Sequence, residues 1–211
     1  MRTLTELEDA LARDLAWRRT EMQSMLGAVR ANAGPAGLSF RRGGLAMLYA
    51  HWEGYAKNGL ASYWQYVAKK RLTYGDLALN FVALGIEREL IRAQGISAGE
   101  RLLQRVKRLD ACASDRALMS ERDIDTQSNL NSQVLSGLLA SLGLDPSYFV
   151  TKAHFIDYSL LRQRNSIAHG DFLDVTVHGY VETHHEVLGL LEGIRTAVTN
   201  AAARRLYRRN P

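Results

Sequence analysis

From Leu4 onward an apolar side chain returns mostly every three or four positions, through Leu7, Leu11, Leu15, Met22, Leu26 and Val29. At 3.6 residues per turn these positions form one stripe, so the chain begins with a long amphipathic helix whose apolar face needs a partner. Thr3-Leu4-Thr5-Glu6 has the form of a capping box at its start. Gly34-Pro35 ends it, because glycine terminates a helix readily and proline cannot continue one. A second stripe follows Gly43-Gly44, through Leu45, Leu48, Trp52, Tyr55, Gly59, Tyr63 and Val67, with Lys69, Lys70 and Arg71 in the last turn. Two such helices in the first third of the chain predict mostly α structure.

The remaining stretches repeat the pattern. Asp76 is placed to cap a third helix through Leu79, Val82, Ile86, Leu90 and Ile91, ending near Gly95. Ser97-Ala98-Gly99-Glu100 is a second capping box, and Glu100, Arg101, Arg105, Lys107 and Arg108 predict a solvated, charged face on the helix it opens. From 110 to 128 the periodicity dissolves into Ser, Asp, Arg and Asn, which predicts a long irregular loop or lid. It is not a domain linker, since the helices on both sides need a shared core. Asn129 or Asn131 caps a helix through Val134, Leu135, Leu138, Leu139 and Leu142, stopped by Gly143-Leu144-Asp145-Pro146. Ile156, Leu160, Leu161 and Ile167 mark the next helix, and Asp174 to Val181 reads as a short extended loop before a last helix through Val187, Leu190, Leu191, Ile194, Val198 and Leu206, finishing in Arg204, Arg205, Arg208 and Arg209. The expected architecture is an all-α bundle of about six to seven helices, a single domain over 1–211 with an irregular segment near 110–128.

Composition narrows the function classes. The run from Leu77 to Ile86 is too short to span a bilayer, and Arg2, Glu6, Glu8, Asp9, Arg13 and Asp14 interrupt any secretory apolar core. Cys112 is the only cysteine, which excludes an intramolecular disulfide framework and makes the cytoplasm the expected location. The net charge of +5 is compatible with a polyanionic partner. Lysine occurs only as Lys57, Lys69, Lys70, Lys107 and Lys152, so arginine, the residue suited to bidentate phosphate contacts, supplies most of the positive charge. His184-His185 with His178 or Asp174 is a weak metal candidate, because adjacent helical histidines point to different faces. No phosphate-binding loop or dinucleotide fingerprint is present, and no cofactor is expected.

The chemistry concentrates in Arg164-Asn165-Ser166-Ile167-Ala168-His169-Gly170. A guanidinium and an imidazole together supply a phosphate clamp and a proton shuttle. Five residues apart, they would lie about 140° apart on an ideal helix, so the helix must end or distort here. Gly170 in the left-handed position would free the His169 ring, with Asn165 holding the turn through its side chain. The reaction this pair fits is attack by a ribose 2′-hydroxyl on its own phosphate, which makes the substrate RNA. The alternative is a pair of structural residues at a helix end. Upstream, His51-Trp52-Glu53-Gly54-Tyr55 offers Glu53 as a surface partner of Lys57, and Tyr49, Tyr63, Trp64 and Tyr66 are either core or base-stacking residues.

The stretch from Leu161 to Gly170 resembles the RNxxxH signature of the HEPN (higher eukaryotes and prokaryotes nucleotide-binding) superfamily. The likeness continues through His51 to Tyr55, Asn129 to Val134 and Leu142 to Asp145, and is similar to a stand-alone bacterial HEPN branch associated with defence and toxin-like genes. It spans about residues 44 to 200 and leaves the first helix, 1–34, outside. The resemblance implies an all-α bundle, a homodimer, and a metal-independent endoribonuclease with Arg164, Asn165 and His169 as catalytic residues. It also implies a role for Glu53 in orienting Arg164 or His169, and leaves open a non-catalytic module that binds nucleotide, RNA or a partner protein. Arg162, Lys57, Arg204 and Arg205 are the candidate phosphate contacts, and a separate antitoxin or regulator is an expected partner.

Overall fold

The computed structural model describes residues 1–91, 97–119, 124, 126 and 129–210. Among them are eight α-helices and no strand beyond the isolated bridges Thr73 to Arg116 and Leu77 to Arg208. In order these are α1 (Leu4–Ala31), α2 (Leu38–Lys69), α3 (Leu79–Ile91), α4 (Ala98–Ala111), α5 (Ser132–Ser141), α6 (Ser147–Thr151), α7 (Gln163–Ala168) and α8 (Val177–Ala203). A 3-10 turn at Pro35–Gly37 joins α1 to α2, and a π-helical segment, Phe155–Arg162, runs directly into α7.

The three long helices α1, α2 and α8 form the centre. Tyr55 Oη donates to the Leu11 carbonyl at 3.3 Å, Arg18 reaches the His51 carbonyl, and Met25 meets Gly44, so α1 runs antiparallel to α2. Gly44 lies against Tyr180 and Gly59 against Ile194, so α8 runs parallel to α2. A Cβ on Gly44 would sit 2.7 Å from Tyr180 Cε2, which is why the Gly43-Gly44 pair lies inside α2 and does not precede it. The α1 stripe is buried as expected, with Leu7, Leu11, Leu15, Met22, Leu26 and Val29 in one core shared with α2 and α8. Each such side chain stabilises the fold by about 1.5–3 kcal/mol relative to exposure.

Local signals at the helix ends are resolved one by one. Thr3 Oγ1 accepts from Glu6 N, while the Glu6 carboxylate takes the Arg2 amide and not that of Thr3. Ser97 and Glu100 form the complete reciprocal box. Asp76 does not cap α3, which begins three residues later; its carboxylate accepts from Thr73 Oγ1 and closes a turn. The expected stop at Gly95 and the side chains of Leu90 and Ile91 lie outside the described residues. Asn131, not Asn129, caps α5 through Val134 N. Val177 to Val181, expected to be extended, form the first turn of α8 because Thr176 Oγ1 accepts from Gly179 N.

Helix α4 departs from the expected solvated face in part: Glu100, Arg101 and Lys107 are exposed, but two arginines turn inward and an apolar row turns out. Leu102, Leu103, Val106 and Leu109 are 45–62 % exposed, while Arg105 and Arg108 are half-buried, with Arg108 bonded to Asp115 at 2.6 Å and lying over the Tyr74 ring. After α4 the chain is irregular but pinned, with Tyr74 N, Gly75 N and Ala117 N bonded to Asp115, Ala113 and Leu72 carbonyls. Residues 120–123, 125, 127 and 128 of the expected lid lie outside the described residues, and Ile124 is buried. No helix among the described residues is long and apolar enough to cross a membrane.

Candidate active site

The approach to the Arg164–His169 stretch is not a plain α-helix. From Phe155 to Arg162 the backbone takes the i→i+5 register of a π-helix, a rare form found frequently at functional positions. Ile156, Leu160 and Leu161 anchor it in the core. Asp157 holds it from the other side, accepting from Ser132 N at 2.7 Å and Ser132 Oγ at 2.6 Å in the first turn of α5. The ordinary α register resumes at Gln163 and lasts only to Ala168. His169 is the C-cap and Gly170 takes φ +84°. Gly170 N bonds to Ile167 O and Asp171 N to Ser166 O, the two bonds of a Schellman ending. The helix therefore ends where the spacing required, and backbone bonds hold the turn. The Asn165 side chain makes no hydrogen bond among the described residues; only its carbonyl is used, by His169 N.

Arg164 turns inward. Its guanidinium carbon lies 4.1 Å from the centre of the Tyr49 ring on α2, and Nη2 donates to Asn129 Oδ1 at 3.2 Å. Tyr49 is fixed in turn, its hydroxyl accepting the Leu130 amide at 2.7 Å, and burial pushes its pKa up so that it stays neutral. A cation over a ring with a planar hydrogen-bonding fork is held in one orientation with little freedom left to lose. Tyr49, Tyr63, Trp64 and Tyr66 are all nearly fully buried, so packing, not base stacking, explains that aromatic stripe.

His169 faces solvent, and its ring has no hydrogen bond or ion pair among the described residues. Within one chain Arg164 and His169 are neighbours at a helix end, and no hydrogen bond joins their side chains among the described residues. Glu53 is half-buried on α2 four residues after Tyr49, with Oε1 buried and lacking a hydrogen-bond partner. No ion pair joins it to Lys57 among the described residues, so the surface-pair reading of Glu53 does not hold.

A family model for HEPN_MAE_28990-like HEPN domains matches residues 7–207. The chain belongs to this HEPN family. No curated protein and no solved structure matches it. The matched range takes in most of α1, which the residue-level resemblance to HEPN left out.

The other candidates divide by position along the HEPN bundle. Arg162 is exposed at the end of the π segment, two residues before Arg164. Lys57 is exposed on α2, about 12 Å along the axis from Tyr49 at 1.5 Å per residue. Arg204 and Arg205 lie at the far end of α8, about 40 Å from its first turn, where Tyr207 O and Arg209 N bond to Ala78 N and Asp76 O. The fold does not bring them to Arg164. Two arginines that the sequence did not single out do reach the motif's end: Arg42 Nη2 donates to Asp171 O at 2.7 Å, and buried Arg41 donates to Val175 O. The signal available for Tyr49 and Asn129 was their place beside recognised stretches, since nothing in spacing links either to Arg164. A cleft of about 880 Å³ between the π segment and the start of α8 includes Gln163, Lys152, His154 and His185 but neither Arg164 nor His169. His184 is buried and His185 lies in that cleft, so the adjacent histidines do face apart.

Proposed function

We propose that this HEPN protein is a metal-independent endoribonuclease. His169 accepts the proton of a ribose 2′-hydroxyl, the 2′-oxygen attacks the adjacent phosphorus, and the bond from phosphorus to the 5′-oxygen breaks. Arg164 offsets the charge that develops on the non-bridging oxygens. The products are a 2′,3′-cyclic phosphate and a 5′-hydroxyl, whose proton comes from a general acid. We assign that acid to the partner's His169, which a two-fold homodimer would set across the same cleft. The biological setting we infer is bacterial defence or growth control by a toxin-like gene, inside the cytoplasm, with a separate antitoxin or regulator.

The observation that carries this reading is the seating of Arg164 on Tyr49 and Asn129 directly beside a helix end that leaves His169 in solvent. A purely structural arginine and histidine would be expected to satisfy each other or their neighbours, and the His169 ring has no hydrogen-bond partner among the described residues. Purified protein should cleave RNA in EDTA, leaving 2′,3′-cyclic phosphate ends, and His169→Ala should lower the rate at least about 100-fold, the usual contribution of a general acid or base. Tight RNA binding with no cleavage would replace the nuclease by the non-catalytic module.

A further inference from the structure

Phe172 is the most exposed large apolar side chain among the described residues, at 79 %, and it stands three positions after His169. Its segment is not loose. Arg42 holds the Asp171 carbonyl on one side and Arg41 holds the Val175 carbonyl on the other, both from the first turns of α2. Between these anchors Leu173 packs against the core. Leu173 is half-buried while its neighbour Phe172 is exposed, so the anchored segment turns the ring to solvent. The Schellman ending adds to this: the residue that commonly folds an apolar side chain back over the helix is here Asp171, and the ring that follows is left without cover. Nothing in the fold uses this ring.

Resting on the ribonuclease reading above, we infer that Phe172 stacks on a nucleobase flanking the scissile phosphate. A phosphodiester held between His169 and Arg164 carries a base on either side, and an aromatic face fixed within three residues of the proton-transfer group is within reach of one of them. Stacking on a flat ring needs an unstacked base, which a loop or single strand offers and a continuous duplex does not. It also reads no base edge, so the choice of RNA would tolerate many sequences.

The test separates binding from cleavage. An oligoribonucleotide with 2′-O-methyl groups throughout cannot supply the nucleophile, so its affinity reports the contact alone. Phe172→Ala should weaken binding about ten-fold, in the range of one base stack. Phe172→Leu, apolar but not aromatic, should be equally weak, and Phe172→Trp should restore affinity with saturable quenching of the added indole fluorescence. A duplex of the same sequence should compete at least ten-fold less well. Affinity within two-fold of wild type for Phe172→Ala overturns the inference. So does rescue by leucine together with loss of the dimer in the alanine variant by sedimentation, which would make Phe172 a subunit contact. Failure of the nuclease reading shows separately, as unchanged cleavage in His169→Ala.

Discussion

Arg164 earns its orientation from a tyrosine on another helix, and the two functions of that tyrosine can be pulled apart. The ring of Tyr49 supports the guanidinium at 4.1 Å, while the hydroxyl satisfies the buried Leu130 amide at 2.7 Å. Tyr49→Phe keeps the first and removes the second. Leaving a buried amide without an acceptor costs about 1–3 kcal/mol, so chemical denaturation should show that loss while cleavage by the folded variant stays within a few-fold of wild type. Tyr49→Ala removes both and should lose activity as well. If phenylalanine is as inactive as alanine, the hydroxyl and not the ring positions Arg164. Such a pairing was not legible in sequence, because it joins residues over a hundred positions apart. What sequence did show was that Arg164 and His169 could not share one face of a helix, and the inward arginine and outward histidine follow from that. Glu53 illustrates the reverse: its pairing with Lys57 satisfied helical spacing, yet burial of Oε1 beside Tyr49 won.

At the scale of elements, glycines misled and informed in turn. Gly43-Gly44 suggested a helix start, yet both lie inside α2, because Gly44 is needed for close contact with Tyr180 and a glycine within a helix costs only about 1 kcal/mol relative to alanine. Periodicity could not reveal this, since the partner helix lies far along the chain. Gly170 was legible because the motif demanded a helix end there, and its φ of +84° is the conformation an L side chain resists. A Cβ at Gly170 would meet nothing within 4 Å, so Gly170→Ala isolates the backbone effect. It should destabilise the protein by about 1–2 kcal/mol and lower cleavage by moving His169, whereas an alanine variant with wild-type stability and rate would show that the ending has no role in placing the histidine. The π segment was invisible beforehand: an apolar spacing of four or five residues through Ile156, Leu160 and Leu161 fits an ordinary helix equally well.

Across the whole molecule the long helices were readable because their stripes run for many turns, whereas the direction of α4 was not: its wheel divides apolar from basic sides, and only tertiary contact decides that Arg105 and Arg108 face the body. The same bundle buries two histidines outside the Arg164–His169 stretch. His184 on α8 is 5 % exposed against α1, and burial lowers its pKa, with Arg30 and His185 adding cationic repulsion. His51 on α2 is 3 % exposed, and burial again lowers its pKa although Glu21 Oε2 lies 3.0 Å away and Arg18 lies on its other nitrogen. In the unfolded chain both titrate near about 6.5. Between the lowered folded values and that pH the unfolded state binds more protons, so stability rises with pH across the window and is lost as acid is added. Thermal midpoints should therefore be flat above about pH 7.5 and fall from pH 7 to pH 5, before the carboxylates begin to titrate. His184→Gln combined with His51→Gln should flatten that fall. A wild-type midpoint that holds or rises on acidification would mean that both rings keep a stabilising proton in the fold.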